Sequence, residues 1–240
     1  MVQLKGKEKS RYVAGMFNDI SSRYDLLNTM MSGGMHHLWK RKAAKMAVQG
    51  LTGEALDVAT GTGDFAIDLA RLPNVNNVVA LDFADMMLPL AIDKATKRGL
   101  AGQANWILGD AHNLPFSDDR FICATCGFGL RNFSDKEAAI REMMRVVKPS
   151  GRVVILDIVP FDRINVLNSL VRKYLRWSMP LLGSIISSNR EAYTYLPNSV
   201  DNFMTAGQLS TLMQSIGLED VSFSKMGFGT VALHVGVKPH

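Results

Sequence analysis

Two cysteines in 240 residues cannot staple a disulfide scaffold, which predicts a reducing compartment. Nowhere does the chain offer about eighteen uninterrupted apolar residues, so no segment is expected to cross a membrane as a helix. The N-terminus carries no apolar run of the signal-peptide kind and no transit-like segment, which predicts a prokaryotic cytoplasm. Internal repeats and low-complexity stretches are missing too, which argues against solenoids and disordered linkers. Acidic residues are scarce only at the start. Residues 1–45 hold nine Lys/Arg against three Asp/Glu, a balance of +6, whereas residues 46–240 balance at −1. A basic arm on a neutral body suits a solvated helix, an anionic ligand, anionic lipid or nucleic acid.

What is present is enough apolar residue, 47% of the chain, for one sizeable core. Residues 13–48 read as helices broken at Ser32–Gly34. From residue 54 the pattern turns to strand then helix, repeated: strands at Glu54–Val58, Asn77–Asp82, Ala104–Asp110, Arg120–Cys126 and Arg152–Ile158. The intervening helices run Thr62–Arg71, Asp85–Arg98 with Asp85 as cap, and Ser134–Val147 with Ser134 as cap. This alternation predicts a parallel sheet covered on both faces. The end differs. After a helix near Ala206–Ile216, two strands are joined by Gly227-Phe228-Gly229, a hairpin connection that makes them antiparallel. A mostly parallel α/β sheet of seven strands finished by such a hairpin is the Rossmann-like plan of class I S-adenosylmethionine (SAM) methyltransferases. A single domain over 1–240 is expected, divided into an N-terminal helical arm (1–50), a SAM-binding core (51–159), a helical lid insertion (160–204) and the last helix with the hairpin (205–240). From Arg163 to Arg190 the insertion has five basic residues and no acidic one, with apolar stripes; it reads as a lid on the core that can also meet lipid or a greasy substrate.

The stretch "LDVATGTGD" (Leu56–Asp64) ends a strand, turns at glycines and starts a helix. Gly61, Gly63 and Ala66 spell G-x-G-x-x-A, with Asp82 about twenty residues on, close to the dinucleotide fingerprint. An NAD-dependent oxidoreductase is therefore one reading. Against it, Asp57, Asp82 and Asp110 fall at three successive strand ends, where the ligand of a parallel sheet binds. Three carboxylates would repel a pyrophosphate and suit the cationic, phosphate-free SAM. In that reading Gly61 and Gly63 let the backbone approach the ligand, Thr62 between them is a further cofactor-binding candidate, and the helix start meets the ligand's carboxylate. Asp82, followed by Phe83, accepts the ribose hydroxyls. Asp110 and Ala111 read the adenine, and Asp57 offsets the ammonium directly or through water.

Cys123 and Cys126 have C-x-x-C spacing, but inside a buried strand rather than at a turn, which disfavours redox or metal duty. No His/Asp/Glu cluster shows metal-ligand spacing, so no metal is expected.

The chain resembles the ubiquinone/menaquinone biosynthesis C-methyltransferases from about Val13 to the C-terminus. The resemblance rests on "YDLLNTMMSGGMHHLWKR" (Tyr24–Arg41), "LDVATGTGD", "GFGLRN" (Gly127–Asn132), "RVVKPSGRVVILDI" (Arg145–Ile158), "AYTYLPNSV" (Ala192–Val200) and "VALHVG" (Val231–Gly236). Ala59, Thr60 and Ser150 stand where that family commonly has glycine, Asp157 where it has glutamate, and Gly127 near the cofactor where similar members have serine. The resemblance implies methyl transfer from SAM to a ring carbon of a polyprenylated hydroquinone, demethylmenaquinol before 2-methoxy-6-polyprenyl-benzoquinol. Arg131 and Asn132, beyond a strand end, are candidates to hold a developing phenolate. His36 titrates in a useful range, and Tyr24 and Tyr195 are further polar candidates. A prenylated substrate implies contact with the inner face of the membrane and no nucleic-acid partner; a homodimer is compatible with the sequence.

Overall fold

The computed structural model describes residues 6–161, 195 and 198–240. Among these, three helices come first: α1 (Gly6–Ile20), α2 (Tyr24–Ser32) and α3 (Met35–Val48). A short 3-10 turn at Ser21–Arg23 separates α1 from α2, a break the sequence did not announce. The second break falls at Gly33 and Gly34, as expected.

Strand and helix then alternate: β1 (Gly53–Val58), α4 (Asp64–Ala70), β2 (Val75–Asp82), α5 (Met87–Lys97), β3 (Ala104–Leu108) and β4 (Phe121–Gly127). They continue as α6 (Lys136–Val146), β5 (Val147–Ile158), α7 (Ala206–Ile216), β6 (Glu219–Met226) and β7 (Val231–Val237). The sheet order is β3-β2-β1-β4-β5-β7-β6. Strands β1 to β5 pair in parallel, and β7 runs antiparallel between β5 and β6. The chain reverses its direction of winding between β1 and β4, which is where an open α/β sheet splays its loops and binds ligand.

Alternation along each strand builds two cores. Leu56, Val79, Leu81 and Cys126 face α6 and α7, packing with Ile140, Met143, Leu209 and Met213. Ala55, Val78, Ala80 and Cys123 face the other side, where α3 and α4 bring Ala43, Ala44, Ala47, Phe65 and Leu69. The alanine face of α3 lets that helix lie close to the sheet. Cys123 and Cys126 are three residues apart and so sit on opposite faces, both buried. Burial pushes the Cys123 thiol up to about 12, the behaviour of an inert core cysteine.

Two helix starts differ from the sequence reading. Asp85 does not cap α5; its carboxylate accepts from Asn18 and tethers α1 instead. The cap of α6 is Asp135 rather than Ser134, its side chain accepting from the Ala138 amide. Helix α7 opens with a full capping box, Thr205 and Gln208 exchanging hydrogen bonds. The helical lid expected over 160–204 lies largely outside the described residues. No described helix is long and apolar enough to cross a membrane.

Candidate active site

A cleft with about 730 Å³ of space, part of it open to solvent, lies at the carboxyl ends of β1, β2, β3 and β4. Asp82, Phe83, Asp110, Ala111, Gly61 and Gly127 line it. Val13, Ala14 and Phe17 of α1, with Tyr24 of α2, close it from the N-terminal side. Among the described residues no lysine or arginine lines it.

Asp82 organises the glycine loop. One of its oxygens accepts from the Gly61 amide at 2.6 Å and the other from the Ala84 amide at 2.8 Å. Burial pushes its carboxyl up while these amides pull it back. The loop's glycines divide their work. Gly61, at φ +57°, faces the cleft; a side chain there would meet only Tyr24 at 3.8 Å. Gly63 does not line the cleft. A Cβ on it would come within 2.7 Å of Trp106 and 2.9 Å of Ala91, so its bareness serves the packing of α4 and α5 on the sheet. At Gly127 a Cβ would strike Phe65 at 2.7 Å, so the packing of that ring keeps this position bare.

Asp110 holds a partner that sequence reading passed over. His112 lines the cleft and meets Asp110 at 2.5 Å through Nδ1, while the Asp135 amide donates to its Nε2 at 3.2 Å. An amide donor at Nε2 requires Nδ1 to carry the proton, so His112 donates to Asp110 and braces it against the start of α6. The local signal was the Asp-x-His spacing after a strand.

Asp57 sits apart from the cleft. It is fully buried, and its two oxygens accept from the Thr60 and Thr125 hydroxyls. Burial pushes its carboxyl up to about 6. It therefore shapes the β1–β4 junction and reaches a ligand only through Thr60 and the loop.

Thr62 likewise turns away from the cleft. Its hydroxyl donates to Asp25 at 2.5 Å and accepts from Lys94 at 2.9 Å. Lys94 also bonds Asp25 at 2.6 Å and Asp64 at 2.9 Å. Asp64 receives Lys40 of α3 at 3.3 Å. Burial opposes its charge, but Lys40 and Lys94 outweigh burial and hold the Asp64 carboxyl well below the usual range. This network clasps α2 and α3 to the glycine loop and α5. Asp25 thereby fixes its neighbour Tyr24 over the cleft.

Arg131 and Asn132 lie in a 3-10 turn, Leu130–Asn132, directly after β4. Only Asn132 lines the cleft, and its Oδ1 is buried with no hydrogen-bond partner among the described residues. Arg131 points inward. Its Nη1 donates to Asp157 at 2.7 Å and to the Phe128 carbonyl, and its amide donates to Asp157 at 3.0 Å. Burial opposes the guanidinium charge, and Asp157 more than offsets it, raising the Arg131 pKa. Tyr195 also lies outside the cleft, packed against Met16 and Leu27 with its ring 6.2 Å from Tyr12. Burial pushes its hydroxyl pKa up.

His36 is not at the cleft. Its Nδ1 meets Ser32 Oγ at 2.7 Å, and its Nε2 is buried without a hydrogen-bond partner among the described residues. Burial, with Lys40 and His37 beside it, pushes its pKa down to about 4, so it is neutral near pH 7 and a poor base. It has a stability consequence instead. The unfolded chain takes up this proton near pH 6.5 and the folded chain only near 4, so stability drains away as pH falls through that window. Replacing His36 by Gln should flatten that part of the stability–pH curve in denaturant unfolding; an unchanged slope would refute it. Asp57 acts with the opposite sign between 3.8 and about 6, so the comparison is between variant and parent.

His36, His37 and Asp64 bring three ligand-type atoms within 4.8 Å of one another. The sequence spacing gave no hint of this cluster. Lys40 and Lys94 already satisfy Asp64, and a further cation there would face their charges.

The cleft suits SAM by its chemistry. Asp82, Asp110 and Asn132 line it, and no lysine or arginine among the described residues does so to hold a pyrophosphate. The ubiE/COQ5 methyltransferase family pattern matches residues 5–238. The chain is 38% identical to the ubiquinone/menaquinone biosynthesis C-methyltransferase UbiE of Pseudomonas putida F1, over 97% of this chain and 91% of that protein. Among solved structures, the [4+2]-cyclase SpnF superposes with a TM-score of 0.70 at 20% identity, covering 96% of this chain and 97% of SpnF. A SAM-dependent methyltransferase from Aquifex aeolicus follows at 0.62 and 17%, covering 89% and 97%. These two likenesses establish the fold alone. The family match, the full-length relative and a cleft built for a cationic nucleoside agree: the chain belongs to the ubiE/COQ5 methyltransferase family and is a SAM-dependent C-methyltransferase.

Proposed function

We propose that this enzyme methylates a ring carbon of a polyprenylated hydroquinone, with demethylmenaquinol as the substrate. The observation that carries this reading is the mixed lining of the cleft. The carboxylate residues Asp82 and Asp110 and the amide residue Asn132 share it with apolar Val13, Phe17 and Phe133. An aromatic ring fits against the apolar residues, and Asn132 is the lining amide from which a ring hydroxyl would seek a hydrogen bond.

Bound SAM supplies an electrophilic methyl group on a sulfonium. The protein's task is to align the ring carbon with it, to exclude water and to take up the proton that the quinol releases. Tyr24, fixed by Asp25, covers the cleft, while α1 supplies the greasy wall. Lys9, one turn before Val13 on α1 and outside the lining, ties that helix to the rim of the cleft. Its ammonium donates to the Phe133 carbonyl at 3.0 Å, and Phe133 lines the cleft. Burial, with Lys136 nearby, pushes its pKa down to about 8.

Purified enzyme with SAM should methylate demethylmenaquinol, read as a mass gain of one methylene on the quinone. Preference for 2-methoxy-6-polyprenyl-benzoquinol would move the assignment to the ubiquinone pathway, and inertness toward both would refute it. The reaction is proposed to run in the cytoplasm at the inner face of the membrane, where the prenyl tail resides.

A further inference from the structure

Large apolar side chains stand in solvent on α2, which helps close the cleft, and on α3, which follows it. On α2, whose first residue Tyr24 lines the cleft, Leu26 is 54% and Met30 44% exposed. On α3, Leu38 is 63% exposed and Met35 also projects outward. Leu26 and Met30 are four residues apart, and Met35 and Leu38 three, so each pair shares a helix face. The short Gly33–Gly34 link makes the two helices an elbow.

The tip of the terminal hairpin joins this patch. Trp39, beside Leu38, packs against the tip; a Cβ on Gly227 would meet its ring at 3.0 Å. Phe228 follows, 83% exposed and in the left-handed region at φ +56°. A bulky side chain adopts that backbone at a cost, and at 83% exposure its contacts with the described residues do little to repay it. Phe228 is therefore unexplained by folding.

Charge selects the occupant. Between Tyr24 and Gln49 the chain has four lysines and arginines and one acid. That acid, Asp25, is held by Thr62 and Lys94. The outward stripe of α3 runs Met35, Leu38, Lys42, Lys45, apolar first and basic after. Apolar insertion flanked by lysines matches an anionic bilayer. An isologous contact with a second copy would instead set this basic stripe near itself.

We propose that the α2–α3 elbow and Phe228 form a docking surface for an anionic lipid bilayer, which turns the mouth of the cleft toward the phase that holds the substrate's tail. The purpose of the surface rests on the prenylated-quinol reading; the surface itself is tested separately.

The full-length enzyme should co-sediment with phosphatidylcholine vesicles that contain phosphatidylglycerol and much less with phosphatidylcholine alone. Replacing Leu38 by Gln together with Phe228 by Gly should lower partitioning at least about tenfold. Replacing Lys42 and Lys45 by Gln should remove most of the preference for the anionic vesicles. All variants should keep wild-type circular dichroism and should methylate a quinol with a short, water-soluble tail at the parental rate. Phe228→Gly alone relieves backbone strain, so its loss of vesicle binding would not be a folding effect. Partitioning unchanged in these variants overturns the proposal. So does self-association in sedimentation velocity that the Leu38/Phe228 variant abolishes. Wild-type enzyme that methylates the short-tailed quinol without binding vesicles removes the docking surface and leaves the activity. Vesicle binding with no quinol methylated does the reverse.

Discussion

Asp82→Ala will weaken SAM binding by about two orders of magnitude while leaving the fold largely intact. Asp82 lines the cleft and also accepts from the Gly61 and Ala84 amides, so its loss acts twice. The glycine loop loses its tie to the end of β2, and the cleft loses a ligand acceptor. Hydrogen bonds to a charged group contribute about 1.5–3 kcal/mol each, and about 3 kcal/mol corresponds to roughly a hundredfold in affinity. Stability falls by less, because burial already raises this carboxyl's pKa and its charge is held at a cost. Asp82→Asn will fare little better. Its NH₂ group would face an amide donor where an oxygen now accepts. Calorimetric titration of SAM measures both variants; a Kd for Asp82→Ala equal to the parent's would remove Asp82 from the site. Tight NADH binding by the parent would overturn the cofactor assignment altogether.

Asp82 also shows what could be read in advance. Strand ends are legible because hydrophobic alternation stops there, so Asp57, Asp82 and Asp110 could all be placed at the carboxyl edge. Which of them faces ligand depends on pairing across the sheet. Thr125 of β4, 68 residues away in sequence, captures Asp57 and takes it out of the cleft. The same holds for Thr62, turned away by Asp25 and Lys94, and for Gly63, whose constraint is the Trp106 ring. The chain's departures from the family's glycines carry their own information. Ala59 and Ser150 stand where glycine is common, and both adopt left-handed backbone, at φ +56° and +63°. The fold at these turns needs the conformation and tolerates its cost in a residue with a Cβ. Long-range partners such as His112 with Asp110 leave only a short local trace.

Arg131→Ala will cost stability and activity together, and the way the two losses combine will reveal what the residue does. The guanidinium and Asp157 form a buried pair at 2.7 Å, and the pair holds the turn from which Asn132 reaches the cleft. Removing one partner leaves a buried charge uncompensated, a loss of about 3–5 kcal/mol. For a chain of this size that lowers the melting temperature by roughly 10 °C. Displacing Asn132 by about an ångström is enough to lower turnover about a hundredfold. Asp157→Ala should do the same, because it unties the same turn from the other side. Replacing the pair with apolar side chains, Arg131→Met with Asp157→Leu, should recover much of the stability, since no charge is then left buried. It should not recover turnover, since the Arg131 bridge to the Phe128 carbonyl is also gone. Thermal unfolding and single-turnover methyl transfer on the four proteins separate the roles. If Arg131 only positions the turn, the two single variants lose turnover alike and the double variant is no worse. If the guanidinium touches the developing phenolate, Arg131→Ala falls far below Asp157→Ala at matched stability, and the inward-facing role fails.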